Sequence, residues 1–380
     1  MHGVQGFITF SPSNISLEIR SLKDAEKLVT GATIMGTGGG GDPTEGLQLL
    51  SEIIDSGKTI RIVELDSLPS DSIVASPYFV GSVAPAKSKK RVTPKIGNPI
   101  KVAMAQLENA LGRKISAVTA TELGGLNTAV ALHIGTQLGL PAVDGDLVGR
   151  AAPELNQSTA NLLRMPMSPA ALSTETGNIV IVREYGSVDD YEATARQQAV
   201  IARSYAAVVD TPLSKEKARR AILSGTISLC FKLGEAVIRA RTGGRDPVQA
   251  VAKGLDGWRF FEGRVSRFDW RDEGGFLKAE LILEGIEEFK GQRLKSWIMN
   301  EHIMVWRDDK PVVMPPDLMA LVKADGGAVT NGQLRTGMKL TAIAAKAPKI
   351  WRTSRGLELF GPRHFGFDYD YKPVERLLGT

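Results

Sequence analysis

ISAVTATELGGLNTAVALHIGTQLGLPAVDGDLVGRAAPELN, residues 115–156, decides how the chain is read. Its first six residues are apolar and β-branched enough to suit a buried strand. Thr121 and Glu122 follow, and Leu123-Gly124-Gly125 break the chain. Residues 127–138 read as a helix with apolar Val130, Leu132, Ile134 and Leu138; Gly139 is its stop and Pro141 lies just beyond. Pro141-Ala142-Val143 is a second short strand, expected to deliver Asp144, Gly145 and Asp146 into a loop. Pro153 suits the first turn of a further helix. A strand–helix–strand unit with the usual crossover puts the loops after both strands on the carboxyl edge of a parallel sheet. Glu122, Asn127, Asp144, Asp146, Arg150 and Glu154 then converge. Two readings stay open: a working site, or turn-forming aspartates beside a structural Arg150–Glu154 pair. The grouping of all six favours the site.

Outward from this stretch, strands and helices alternate. Ser21 opens a helix to about Thr30, with Asp24 completing the cap. Residues 32–35 are short and apolar, and GTGGGGDP follows at 36–43. Asp42 is placed to cap a new helix and Pro43 to start it. Residues 59–65 and 72–80 are strand-like, the second interrupted at Pro77. Residues 100–111 form an amphipathic helix, and 178–183 a last strand. The expectation is an α/β domain over residues 21–185 with a mostly parallel sheet. Residues 186–380 would form a second domain. It opens with two long helices, 188–209 and 214–241, joined across Asp210-Thr211-Pro212. Strands then dominate at 259–269, 276–284, 294–306 and 338–344, with turns at Gly274-Gly275 and Asp308-Asp309.

Composition narrows the function classes. The 380 residues are 43% hydrophobic and 23% charged, which suits globular domains with sizeable cores. A net charge of +5 is compatible with an anionic ligand but does not call for nucleic acid. The one dense basic run, residues 87–95, reads as a solvated loop. A single cysteine, Cys230, rules out an intrachain disulfide and any cysteine-based zinc site, and reads as a buried thiol. Neither a membrane-spanning run nor a leader-like start is visible, so a cytoplasmic protein is expected.

The glycine loop is the second chemical feature. Gly38, Gly39, Gly40, Gly41 and Asp42 are expected to present backbone N–H groups and a helix start to an anionic group of a substrate. The spacing of Gly36, Gly38 and Gly41, with Glu64 as a ribose-binding acid, also fits a dinucleotide loop, after an apolar strand of only about four residues. His2, His133, His302 and His364 form no spaced metal pair; His302 and His364 remain candidate site residues. No serine stands in a nucleophile elbow. Hydrolysis would therefore use water activated by a carboxylate or by a divalent metal.

Several motifs together resemble the S-methyl-thiohydantoin desulfurase-like family: GTGGGGDP at 36–43, ELGGLN at 122–127, LPAVDGDLVGRAAPEL at 140–155, NEHIMVW at 300–306, PPDLMAL at 315–321 and WRTSRGLELFGPRHFGFDYDY at 351–371. The resemblance runs from about residue 21 to near the end. It implies association with hydantoin and oxoproline hydrolases and a small cyclic amide or thioamide substrate. On this reading Asp144, Asp146 and Glu154 position a metal or activate water. Glu122 and Asn127 orient the ring, and Arg150 or the glycine loop holds a substrate carboxylate. Two other readings stand beside it: a nucleotide-binding oxidoreductase, and a non-catalytic partner subunit of a hydantoinase-like enzyme. Homo-oligomerisation and a hydantoinase-like partner are both left open.

Overall fold

The computed structural model describes residues 15–84 and 93–379. His2, the start of the chain and most of the basic run 87–95 lie outside the described residues.

The first sheet is built from β1 (Ile15–Ile19), β2 (Ile60–Val63), β3 (Ile73–Val80), β4 (Ala117–Ala120), β5 (Ala142–Asp146), β6 (Ala170–Ser173), β7 (Ile179–Val182), β8 (Ala206–Ser214) and β9 (Leu223–Ser224). Their order is β1-β2-β5-β4-β3-β8-β6-β7, with β9 added against β5. The centre, β2-β5-β4-β3, is parallel, and antiparallel strands extend both flanks. The helices of this part are α1 (Leu22–Met35), α2 (Pro43–Asp55), α3 (Pro99–Leu111), α4 (Asn127–Gln137), the single turn α5 (Thr159–Leu162), α6 (Val188–Ala202), α7 (Lys215–Ala221), α8 (Thr226–Thr242) and α9 (Pro247–Gly254). The second sheet is an antiparallel half-barrel ordered β14-β13-β12-β11-β10-β16-β15. Its strands are β10 (Trp258–Glu273), β11 (Phe276–Gly285), β12 (Arg293–Met299), β13 (Glu301–Arg307), β14 (Lys310–Val313), β15 (Leu318–Val322) and β16 (Lys339–Ala345). Short helices α10 (Ser354–Phe360) and α11 (Val374–Leu377) close the chain. The α/β part followed by a β-rich part is as expected. Among the described residues no helix is long and apolar enough to cross a membrane.

Local chemistry explains most elements. Asp42 Oδ1 accepts from Thr44 N at 2.8 Å and Pro43 occupies the first turn of α2. Gly274-Gly275 and Asp308-Asp309 all take positive φ, as two-residue hairpin turns require. Pro77 does not interrupt β3. It lies past the Val74–Ala117 and Ala75–Val118 pairs, where β4 no longer neighbours it.

Four expectations are corrected. First, α1 does not end near Thr30: residues 32–35 are its last turn, not a strand. Gly31 sits inside it because α1 and α8 cross in backbone contact. A Cβ at Gly31 would lie 1.8 Å from Cys230 O, and one at Gly234 1.7 Å from Lys27 O. Second, residues 188–209 are not one helix. Arg203 turns left-handed at φ 57, and β8 then inserts between β3 and β6. Its apolar run is buried on both faces, a pattern that periodicity cannot tell from a buried helix. Ile222 and Gly225 likewise break the reading of 214–241 into α7, β9 and α8. Third, β5 runs through Asp146, because β9 pairs Gly145 with Ser224 and Asp146 with Leu223. Fourth, residues 294–306 are two strands, turned at Asn300 with φ 56.

Candidate active site

Strands β3, β4 and β5 end on one edge of the first sheet, where an open α/β sheet receives ligands. Strand β4 stops at Ala120 while β3 runs on, and a crevice opens between them. Asn127, at the start of α4, closes its far end. Its Oδ1 accepts from Phe79 N at 3.0 Å and its Nδ2 donates to Phe79 O at 3.2 Å, so the side-chain amide pairs with β3 as a strand would. The same Nδ2 donates to Glu122 Oε1 at 2.8 Å, and Ala152 N donates to Glu122 Oε2 at 2.9 Å. Glu122 is thus held by two donors in a buried place. Burial raises its pKa, and those two bonds only partly offset the rise.

The second sheet supplies the opposite wall. Asn300 is clamped in its left-handed turn: Oδ1 accepts from Leu277 N at 2.9 Å, its N donates to Leu277 O at 2.8 Å, and its carbonyl accepts from Asn331 Nδ2 at 2.8 Å. This turn delivers Glu301 to the pocket. Glu301 is only 2% exposed, and its Oε2 has no hydrogen-bond partner. Burial pushes its pKa well up, and the nearby Glu122 adds to the rise.

The glycine loop packs against both walls. A Cβ at Gly39 would lie 1.7 Å from Glu301 Oε1, and one at Gly40 2.4 Å from Gly124 Cα. Its carbonyls are used as well, Gly38 O by Asn331 N at 2.7 Å and Gly40 O by Leu126 N at 3.0 Å. The glycines therefore admit protein neighbours, and the Gly40 N–H faces Glu301. Only Gly40 and Gly41 of the expected loop residues line the pocket; Gly38, Gly39 and Asp42 do not. Because helix α1 runs straight into the loop, the strand–loop–helix context of a dinucleotide fingerprint is absent.

Asp210, from β8, completes the floor. Tyr78 and Tyr191 hydroxyls each donate to its Oδ2 at 2.8 Å, and the Thr211 hydroxyl to its Oδ1 at 2.9 Å. Burial lifts this carboxyl to about 6 in spite of the three hydroxyls. Thr211 and Asn300 sit at positive φ at the pocket, as Thr37 does in the glycine loop, and for β-branched threonine that conformation is costly. The cavity here measures about 70 Å³ and is partly open to solvent. Arg196 borders it with its guanidinium engaged by Glu192, Gly81 O, Gly275 O and Pro153 O.

The residues singled out from sequence separate into two groups. Glu122, Asn127 and Glu154 border the pocket. Glu154 accepts from His364 Nε2 at 2.6 Å; burial works to raise its pKa, but the His364 and Gln157 bonds hold it below the ordinary value. It caps a short turn at Leu155–Gln157, and Pro153, expected in the first turn of a helix, lies before that turn. Asp144, Asp146 and Arg150 do not border the pocket. Asp144 accepts from the Ser228 N at 3.0 Å and from the Ser228 hydroxyl, fastening the start of α8. Asp146 Oδ2 accepts from Val148 N at 2.9 Å and Gly149 N at 2.6 Å, and burial lifts this carboxyl to about 7. Arg150 is fully buried between the domains. Nε donates to Ala151 O, Nη1 to Pro316 O and Asp317 O, and Nη2 to the Thr37 hydroxyl and His302 O. All five guanidinium N–H groups are thereby used. His302 is buried behind the pocket wall, bonded through Nδ1 to Ser296 and held neutral, its pKa pressed down to about 3 by burial and Arg150. Among the described residues no three His, Cys, Asp or Glu side chains gather as a metal-binding group.

Sequence reasoning missed Glu301, Asp210 and Tyr78. The signal available was an acid at the head of an apolar strand, in NEHIMVW, and another inside the apolar run AAVVDT.

Comparison with known proteins covers nearly the whole chain. Residues 23–184 match the model of the S-Me-THD-like N-terminal domain, and 187–374 that of the S-Me-THD-like C-terminal domain. A crystal structure of a protein from Chromobacterium violaceum is similar with a TM-score of 0.74 and 23% identity, over 94% of this chain and 100% of that one. At that identity the likeness is one of fold. The chain matches no curated protein.

Proposed function

The chain belongs to the S-Me-THD-like family, and on that premise we propose that it is a hydrolase or desulfurase of a small hydantoin- or thiohydantoin-like ring. The observation that carries this reading is Glu122. It is a buried carboxyl at the end of a parallel strand, oriented by Asn127 and Ala152 N and facing a pocket between two domains. A carboxyl raised by burial is a better base near neutral pH than an exposed one. In this reading Glu122 takes a proton from water. The water oxygen bonds to the ring carbon, and the C–S bond of a thiohydantoin thioether, or the C–N bond of a hydantoin, breaks. The departing sulfur or nitrogen takes up a proton. Glu154, bonded to His364, borders the pocket. Asp144, Asp146 and Arg150 act from outside the pocket as positioning residues.

The test is turnover by Glu122→Gln and Asp144→Asn on hydantoins and S-alkyl thiohydantoins, with the thermal midpoint of each. Glu122→Gln should lower kcat by about 10²–10⁴ while remaining folded. Asp144→Asn should act chiefly on the midpoint. The opposite pattern, activity kept in Glu122→Gln and lost in a folded Asp144→Asn, would reject the assignment.

A further inference from the structure

We propose that Glu301, from the second sheet, is the proton donor to the departing atom of the ring, so that base and acid come from different domains. This rests on the hydrolytic reading and adds a catalytic residue to it.

The geometry singles out this carboxyl. Glu301 is buried, borders the pocket, and has a bare Oε2. A buried polar atom without a partner costs about 1–3 kcal/mol, so its persistence beside a cavity points to a ligand. Several other proton carriers around the pocket are engaged. The Tyr78 hydroxyl donates to Asp210, Asp210 collects three hydroxyls, Glu154 is bonded to His364, and Arg196 is tied to Glu192 and carbonyls. Glu301 is also fixed in place. Asn300 holds the turn before it, and the absence of a side chain at Gly39 leaves room for Oε1.

Chemistry divides the roles. Two carboxyls that face one pocket do not both ionise readily. Glu122 receives two N–H donors, one on each oxygen, and so holds the negative charge better. Glu301 has no donor on Oε2 and so keeps the proton. Environments that push two carboxyls apart in this way assign acid and base. As water attacks, Glu122 gains its proton and the C–O bond forms. The C–S or C–N bond breaks, and the Glu301 proton passes to the departing sulfur or nitrogen. Glu301 is left as carboxylate and Glu122 protonated, and one proton transferred between them through solvent restores the start.

An acid is needed most where the leaving group is basic. Glu301→Gln should therefore lose about 10²-fold or more in kcat/KM on an S-methyl thiohydantoin, but less than about tenfold on the S-trifluoroethyl analogue, whose thiolate leaves unaided. Glu122→Gln should lose equally on both. Equal losses on both rings in Glu301→Gln, or no loss, would overturn the proposal. An infrared difference spectrum decides the point without turnover. The wild type at neutral pH should show a protonated-carboxyl band that disappears in Glu301→Gln and shifts when hydantoin is added. Its absence in a folded protein would overturn the assignment of the acid. Failure of the wild type to turn over either ring, with this band present, would count against the hydrolytic reading and leave the protonated, buried carboxyl supported.

Discussion

Replacing Arg150 by lysine keeps its charge and removes its geometry. The guanidinium makes five hydrogen bonds, to Ala151 O, Pro316 O, Asp317 O, the Thr37 hydroxyl and His302 O. An ammonium has three donors, so at least two of these acceptors lose their partner. Each such buried loss costs about 1–3 kcal/mol, which puts the variant roughly 2–6 kcal/mol below the wild type. The acceptors lie on the glycine loop, the stretch after β5 and the second sheet, so the two domains should loosen together. Chemical denaturation followed by fluorescence of Trp351, whose indole donates to Val148 O at this interface, reads the change. A variant as stable as the wild type that fails to bind a carboxylate-bearing ring would refute the structural role and return Arg150 to the ligand.

Further outcomes are expected elsewhere. Gly234→Ala should destabilise by about 1–3 kcal/mol or more in thermal unfolding, because the new Cβ meets the carbonyl of Lys27 across the α1–α8 crossing. Asp146 should make stability pH-dependent. Unfolded, its carboxyl releases the proton near 3.8; folded, burial holds the proton up to about 7. The folded state therefore binds more protons in between, and stability falls as pH rises through that window. Asp210, lifted to about 6, adds in the same direction. Urea titrations at about pH 5 and about pH 8 should show a smaller loss on raising the pH in Asp146→Asn than in the wild type; equal losses would contradict the assignment. Gly39→Ala should displace the Glu301 carboxyl, whose Oε1 occupies the position of the new Cβ, and should lower activity as Glu301→Gln does.

Much of the first domain was legible because its punctuation is local. Asp42-Pro43 starts α2, Gly139 and Pro141 separate α4 from β5, and the sheet edge that follows from this unit carries Glu122 and Asn127. Elsewhere local signals misled. Asp144-Gly145-Asp146 has the composition of a turn, yet β9, some eighty residues later in sequence, supplies the pairing that keeps it extended. The apolar run before Asp210 fits helix and strand alike, and only its place between β3 and β6 decides. Glu301 was hidden for a related reason. Its neighbours in sequence say only that an acid begins a buried strand. Its role depends on the approach of a second sheet to the glycine loop, where Asn331 and His302 bond the loop carbonyls. The glycines themselves advertised a bound anion; much of the space they leave is filled by Glu301 and Asn331.

A crystal soaked with 5,5-dimethylhydantoin tests the placement of the site most directly. The ring should lie in the pocket between the domains, within hydrogen-bond reach of Glu122 and of Glu301 Oε2, with Asp144 still bonded to Ser228. A ring seated instead at Asp144 and Asp146, with the pocket between Glu122 and Glu301 left empty, would contradict it.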